Sequence, residues 1–154
     1  LTGFSGLAGK DAFEEAVINS LGDLYTDYRT EVKPYFYVLL GLAPGDLDKL
    51  EEETMVPARD NRYPFLFLNE CMSIHNLTFN TTITGFLVGN SLSWVDVLIA
   101  EHLSEVIKRV PGFLDGFPEV SGYFSTCLAN VSGKLILHRV FSPFLRLCMF
   151  KAIF

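Results

Sequence analysis

The sequence is poor in basic residues and in cysteine. Its 154 residues include 12 Lys and Arg against 18 Asp and Glu, a net charge of −6 at pH 7. Because phosphate binding needs clustered Lys and Arg, this balance disfavours a nucleic-acid partner. The cysteines, Cys71, Cys127 and Cys148, fit neither a metal-ligand spacing nor a redox pair. We therefore predict no metal site and interpret all three as free thiols in a reducing compartment.

Motifs for catalysis, secretion and membrane insertion are also missing. The sequence has no Gly-rich phosphate loop, and His75, His102 and His138 have no Cys or Ser partner at a meaningful spacing. Residues 1–10 lack the pattern of a signal peptide. Residues 135–154 are apolar but hold three basic side chains, which makes insertion into a bilayer costly. These absences predict a chain with no independent catalytic site and no membrane span.

What the sequence does have is helical periodicity. Hydrophobic residues make up 49% of the chain and charged residues 19%, a globular composition of one domain's length. Steps of three and four residues separate the apolar side chains of the first segment: Phe13, Val17, Leu21, Leu24, Tyr28, Val32, Tyr35, Phe36 and Leu39. Pro34 should kink this helix, and Gly41 should follow its end. Since no segment alternates as a strand does, we predict an all-α bundle of about four helices.

Start signals place the later helices. Asp46 is a candidate cap for a second helix. The run Ser93-Trp94-Val95-Asp96 predicts a capping box, in which Ser93 accepts from the Asp96 amide and Asp96 accepts from the Ser93 amide. Pro118 should open a fourth helix. We interpret Ser93 and Asp96 as structural residues and not as catalytic ones.

Composition also predicts the domain limits. Residues 1–10 are rich in glycine and read as a linker, and residues 11–124 form the helical domain. Within that domain, residues 69–84 are polar and β-branched, which indicates an insertion. No acidic residue follows Glu119. The helical pattern fades after about Phe124, so residues 125–154 are predicted to be a divergent, poorly ordered tail.

Six runs of the sequence form a recognisable series: EAVINSLGDLYTD (15–27), KPYFY (33–37), VPAR (56–59), GFLVGNSLSWVD (85–96), AEH (100–102) and VPGFLDGFPEV (110–120). In this order and spacing they resemble the C-terminal helical domain of sigma-like, nematode-type glutathione transferases. The resemblance covers roughly residues 4–68 and 84–123.

The resemblance implies a two-domain cytoplasmic enzyme that conjugates glutathione to electrophiles. In the family, an N-terminal thioredoxin-like domain binds glutathione, and a Tyr of that domain stabilises the reactive thiolate. We expect that domain to be missing from these 154 residues, which leaves this chain without a catalytic residue and inactive alone. Glutathione is a substrate, so no cofactor is implied. The family also implies a homodimer that acts in detoxification, with small hydrophobic electrophiles as co-substrates.

The resemblance implies site roles for four residues of the first helix. Asp27 matches the acid that reaches across the dimer toward the glutathione amino group, for which a carboxylate is suited. Arg29, Lys33 and Tyr37 match the face that lines the co-substrate pocket, and their spacing of four keeps them on one side. The alternative for Asp27 is an exposed helix acid without a binding role. The alternative for Tyr37 is simple core packing.

Three functions stay open at this point. The chain can be the pocket-bearing part of a transferase, with prostaglandin-type isomerisation as a sigma-class variant of that chemistry. It can instead be a non-catalytic binding module, a role that helical domains of this family also take. It can finally be an inactive gene fragment.

Overall fold

The computed structural model describes residues 6–67 and 85–133, and within these ranges it is helical and contains no strand. This confirms the predicted all-α class. The elements are α1 (Ala12–Leu39), α2 (Leu47–Leu50), a π-helical segment (Glu51–Met55), α3 (Val56–Phe67), α4 (Trp94–Arg109) and α5 (Pro118–Gly133). The predicted insertion, 69–84, lies outside the described residues.

Helix α1 covers the periodic run from Phe13 to Leu39 and ends before Gly41, as the sequence predicted. The Asp11 carboxylate caps its first turn by accepting from the amides of Phe13 and Glu14, both at 2.9 Å. Pro34 lies inside the helix. Beyond the C-terminal residue, Gly41 adopts a positive φ of 71°, a conformation that glycine reaches without steric cost. The result is a 28-residue helix that contacts all the elements up to α4.

The second helical region is continuous but changes its winding. Asp46 caps α2 by accepting from the Lys49 amide, as its position predicted. The chain then widens into the π-helical turn and enters α3. Met55 in this turn and Ala58 in α3 are buried, and both elements pack against α1. The sequence predicted a second helix after Asp46 but gave no signal for the π-helical turn.

Helices α4 and α5 complete the core. Val95, Ile99, Leu103 and Val106 of α4 are buried, as expected for a helix with a narrow polar stripe. Helix α5 starts at Pro118, as predicted, and continues to Gly133. It therefore runs beyond Phe124, where the periodic pattern fades. The proposed tail after that point stays a prediction, since residues 134–154 lie outside the described part.

A close approach between α1 and α4 depends on one glycine. A Cβ atom added to Gly22 would overlap the ring of Trp94, the first residue of α4. Trp94 is also tied to the N-terminal segment, since its amide donates to the Leu7 carbonyl at 3.0 Å. Gly22 therefore lets the tryptophan ring lie directly on the α1 backbone.

We expect Gly22→Ala to lower the free energy of unfolding by about 1–2 kcal/mol, although alanine is the better helix former, because the rigid ring must move. Gly122→Ala is the matched control. Gly122 lies in the interior of α5 with open space around its Cα, so this change should raise stability by about 0.5–1 kcal/mol. Urea unfolding followed by far-UV circular dichroism measures both. A stabilised Gly22→Ala chain would show that this contact does not constrain the helices.

Candidate functional site

The predicted site residues of α1 occupy two different sides of the helix. Arg29, Lys33 and Tyr37 follow one another at four-residue steps, each turned by about 40° from the last. All three are partly buried, and they lie beside the buried core face of the helix. Asp27 is exposed and lies away from this stripe. The structure thus brings three of the four residues to one side of α1.

Lys33 and Tyr37 line a cavity of about 670 Å³. The cavity lies between the second half of α1, the connection at 43–46 and the start of the second helical region. Lys33 Nζ lies 5.1 Å from the centroid of the Tyr37 ring, a cation–π contact. The remaining lining residues are mainly apolar and charged side chains: Thr30, Pro34, Val38, Ala43, Pro44, Gly45, Asp46, Lys49, Leu50 and Glu53.

The sequence pattern missed the contribution of the second helical region to this cavity. Lys49 lies on its wall and pairs loosely with Glu53, with 3.9 Å between Nζ and Oε1. No local motif links Lys49 to Lys33. The connection at Pro44-Gly45-Asp46 folds α2 back toward α1. A Pro-Gly-Asp run is typical of a turn, so it was the available sequence signal for this approach.

Arg29 lies one turn before Lys33 and is not among the residues that line the cavity. Its Nε and Nη2 atoms are buried, and they have no hydrogen-bond partner among the residues the structure describes. Burial lowers the pKa of the Arg29 guanidinium from its usual value, and the nearby Tyr25 opposes that change. Arg29 is therefore a largely buried cation without a compensating acid in the described part of the chain.

A buried aromatic cluster adjoins Arg29. The Tyr25 hydroxyl lies 2.6 Å from Nδ1 of His102, and both side chains are buried. The rings of Tyr28 and Phe36 meet the imidazole edge-on, with centroids 6.2 and 5.8 Å away. Burial, and secondarily the Arg29 charge, lower the pKa of His102 to about 3. His102 is thus a buried, neutral residue of the core. The other two histidines, His75 and His138, lie outside the described residues.

This burial makes stability depend on pH. Because the folded pKa of His102 is below the usual 6.5, the unfolded chain takes up the proton first. The stabilisation is complete above pH 6.5 and is lost as the pH falls toward 3, by up to about 1.4 kcal/mol per pH unit. His102→Asn keeps an acceptor near the Nδ1 position without titrating. We expect its free energy of unfolding to fall less steeply between pH 6.5 and 4 than that of the wild type. Parallel curves from urea titrations would contradict a buried neutral His102.

The capping residues form a structural centre, as predicted. Both halves of the Ser93–Asp96 capping box are present. The interactions of the Asp96 side chain are the stronger part of this box, because its carboxylate oxygens accept the hydrogen bonds that have ordinary lengths and angles. Asp96 Oδ2 accepts from the Ser93 amide at 2.8 Å and hydroxyl at 2.6 Å, and Oδ1 accepts from the Leu87 amide at 2.9 Å and the Tyr123 hydroxyl at 3.0 Å. Burial raises the pKa of Asp96, and these four donors oppose the rise.

Reactive or metal-binding groups do not gather in the described ranges. Residues 6–67 and 85–133 hold no cluster of His, Cys, Asp and Glu that could bind a metal ion. Cys127 is buried, its thiol contacts the Gly85 carbonyl at 3.6 Å, and burial raises the pKa of the thiol to about 12. It is therefore an inert thiol. Cys71 and Cys148 lie outside these ranges. No helix of the described part is long and apolar enough to cross a bilayer.

The fold and the cavity define a helical domain with a preformed pocket beside its first helix, and comparison with known proteins identifies the family. A profile described as glutathione S-transferase, C-terminal domain, matches residues 71–130. The probable glutathione S-transferase 8 of Caenorhabditis elegans is 38% identical over 129 residues, which are 84% of this chain and 58% of that protein.

Solved structures agree. A monomeric glutathione S-transferase of the hookworm Necator americanus superposes with a TM-score of 0.72 at 36% identity, covering 88% of this chain and 62% of that one. A Nu-class enzyme of Haemonchus contortus superposes with a TM-score of 0.66 at 36% identity, covering 87% and 60%. The chain is a C-terminal domain of the glutathione S-transferase family, as the sequence motifs predicted. It spans about three fifths of the length of these relatives.

Proposed function

We propose that this chain is the pocket-bearing helical part of an enzyme that conjugates glutathione to electrophiles. The observation that carries the proposal is the cavity of about 670 Å³ that Lys33 and Tyr37 line together. Its size suits a small organic molecule. Glutathione is then a substrate, and the reaction needs no cofactor.

The walls of the cavity suit an electron-poor organic co-substrate. Val38, Leu50 and the prolines provide apolar surface, and the Tyr37 ring provides a stacking surface. Lys33 places a positive charge beside that ring, where negative charge that develops on the electrophile during thiolate attack would be stabilised. In this proposal Tyr37 holds the co-substrate and Lys33 favours its reaction.

Asp27 has a separate role in the proposal. Its side chain is exposed on α1, away from the cavity-lining stripe, so a second molecule can reach it. We propose that Asp27 receives the glutathione amino group bound by the partner subunit of a homodimer. The hookworm relative is monomeric, so dimerisation of this chain is part of what the experiment must test.

The chemistry of thiolate activation has to come from another segment. The resemblance assigns activation of the glutathione thiol to a Tyr of the N-terminal domain, and this sequence shows no catalytic motif of its own. We propose that a thioredoxin-like domain outside these 154 residues provides it. The sigma class, prostaglandin-type isomerisation, detoxification and a cytoplasmic location follow from the resemblance alone and stay predictions.

A non-catalytic binding module is the second candidate. It is favoured by the cavity itself, since a chain that binds small molecules needs the cavity but no catalytic motif. The two candidates differ in whether a glutathione-binding domain restores catalysis.

The test compares the purified chain with the chain fused behind the thioredoxin-like domain of a nematode relative. We expect conjugation of 1-chloro-2,4-dinitrobenzene only in the fusion. Within it, Asp27→Ala should raise KM for glutathione by at least about tenfold, because a charge-assisted hydrogen bond contributes about 1.5–3 kcal/mol. Tyr37→Ala should raise KM for the electrophile and leave that for glutathione unchanged.

Asp23→Ala is the matched control, since Asp23 is also an exposed acid and lies one turn before Asp27. It should leave both KM values unchanged. A folded but inactive fusion would instead favour the binding module. Equal effects of the two Asp variants on KM for glutathione would contradict the role proposed for Asp27. Size-exclusion chromatography of the same fusion reports whether it is a dimer.

A further inference from the structure

The two buried nitrogens of Arg29 are a matched pair of donors. Nε and Nη2 lie on the same edge of the planar guanidinium, so their N–H bonds run side by side. This edge is the one that meets both oxygens of a carboxylate in a bidentate contact. In the described structure both nitrogens are buried and neither donates a hydrogen bond. The unsatisfied groups therefore have the geometry of a carboxylate receptor.

Among residues 6–67 and 85–133, no acidic side chain pairs with Arg29. His102 has a pKa of about 3, so it is neutral near pH 7. Glu31, two residues further along α1, pairs with Arg62, with 3.5 Å between Oε2 and Nη2.

An unpaired buried cation is unfavourable for folding. Removing a guanidinium from water without a partner is costly, and an apolar side chain of similar size would fit such a position at lower cost. Functional sites are where proteins commonly keep groups of this kind. The position of Arg29 on the same stripe as Lys33 and Tyr37, one turn from the cavity, connects it with the ligand that the cavity holds.

We propose that Arg29 binds a carboxylate of the co-substrate, so that the pocket selects electrophiles that carry an acidic group. The inference rests on the proposed function, because it takes the stripe of α1 as the co-substrate site. The two oxygens accept from Nε and Nη2, and the apolar part of the ligand extends toward Tyr37. Since both nitrogens are buried in the unliganded chain, binding requires a local opening that exposes this edge of Arg29.

A titration of the full chain with two matched probes tests this directly. The probes are 4-phenylbutyrate and 4-phenylbutyramide, which share their apolar part and differ in charge. We expect the acid to bind about tenfold more tightly than the amide or better, as a charge-assisted bidentate contact provides. Arg29→Gln should remove the difference. Arg29→Lys should keep a few-fold preference, because lysine retains the charge without the paired donors.

Arg62→Gln is the control for a general loss of positive charge, and it should keep the preference of the wild type. Glutathione itself serves as a third probe, because it also carries carboxylates. If glutathione binding depends on Arg29 while the two phenylbutyrate probes bind equally, that result would overturn the proposal that Arg29 binds a carboxylate of the co-substrate. Equal binding of acid and amide, or no binding of either, would overturn it as well.

Thermal unfolding of the unliganded chain provides a readout independent of the probes. If Arg29 has no anionic partner, Arg29→Met should raise Tm by about 3 °C or more, because an uncompensated charge is removed. A fall in Tm would show that an acid already neutralises Arg29, and the proposal would fail. These experiments do not involve catalysis, so their outcome is independent of the activity of the fusion. If the chain selects the acid but its fusion is inactive, the chain is a carboxylate-binding module. If the fusion is active but the chain does not select the acid, only this inference is contradicted.

Discussion

The buried carboxylate of Asp96 is the interaction on which the described fold most depends. It joins three segments that are separate in sequence: the loop at Leu87, the start of α4 at Ser93, and α5 through Tyr123. A buried charge is costly alone, but each hydrogen bond to a charged group contributes about 1.5–3 kcal/mol and the helix N-terminus favours a negative charge. Asp96 is therefore stabilising only while all its donors stay in place, which makes the arrangement of these segments cooperative.

The position of α4 also fixes the orientation of α1, the helix that presents the pocket residues. Trp94, the first residue of α4, lies against Gly22 and so holds the first half of α1. Farther along α4, His102 meets Tyr25 and the ring of Phe36. These contacts fix one face of α1 inside the core. The adjoining side of the same helix then presents Arg29, Lys33 and Tyr37 in a constant direction, and Asp27 remains exposed elsewhere on the helix.

Local features of the structure could be predicted from the sequence because their determinants are close together along the chain. The Asp11 and Asp46 caps, the end of α1 before Gly41 and the Ser93–Asp96 box all depend on residues within a few positions of one another. Helical spacing also correctly placed Lys33 and Tyr37 together. The family could be recognised because several such local runs occur in one order.

Contacts between distant residues could not be predicted in this way. Leu87 and Tyr123 complete the Asp96 network, and His102 lies 77 positions from Tyr25. Lys49 reaches the cavity only because the second helical region folds back. The continuation of α5 beyond Phe124 was missed because its sequence there is rich in Ser, Thr and Asn, which are weak helix formers. Packing onto the core overrides that weakness: Cys127 is fully buried against the Gly85 segment.

Amide hydrogen exchange of the isolated chain, followed by NMR, tests most directly whether Asp96 holds this domain together. We expect the Leu87 and Ser93 amides, which lie in a loop and at a cap, to exchange as slowly as the core of α4, through global unfolding only. In Asp96→Asn, whose amide group cannot accept from all four donors, both should exchange much faster than the α4 core. Rapid exchange of Leu87 and Ser93 in the wild-type chain would contradict the account, because the carboxylate would then not be tying these segments to the fold.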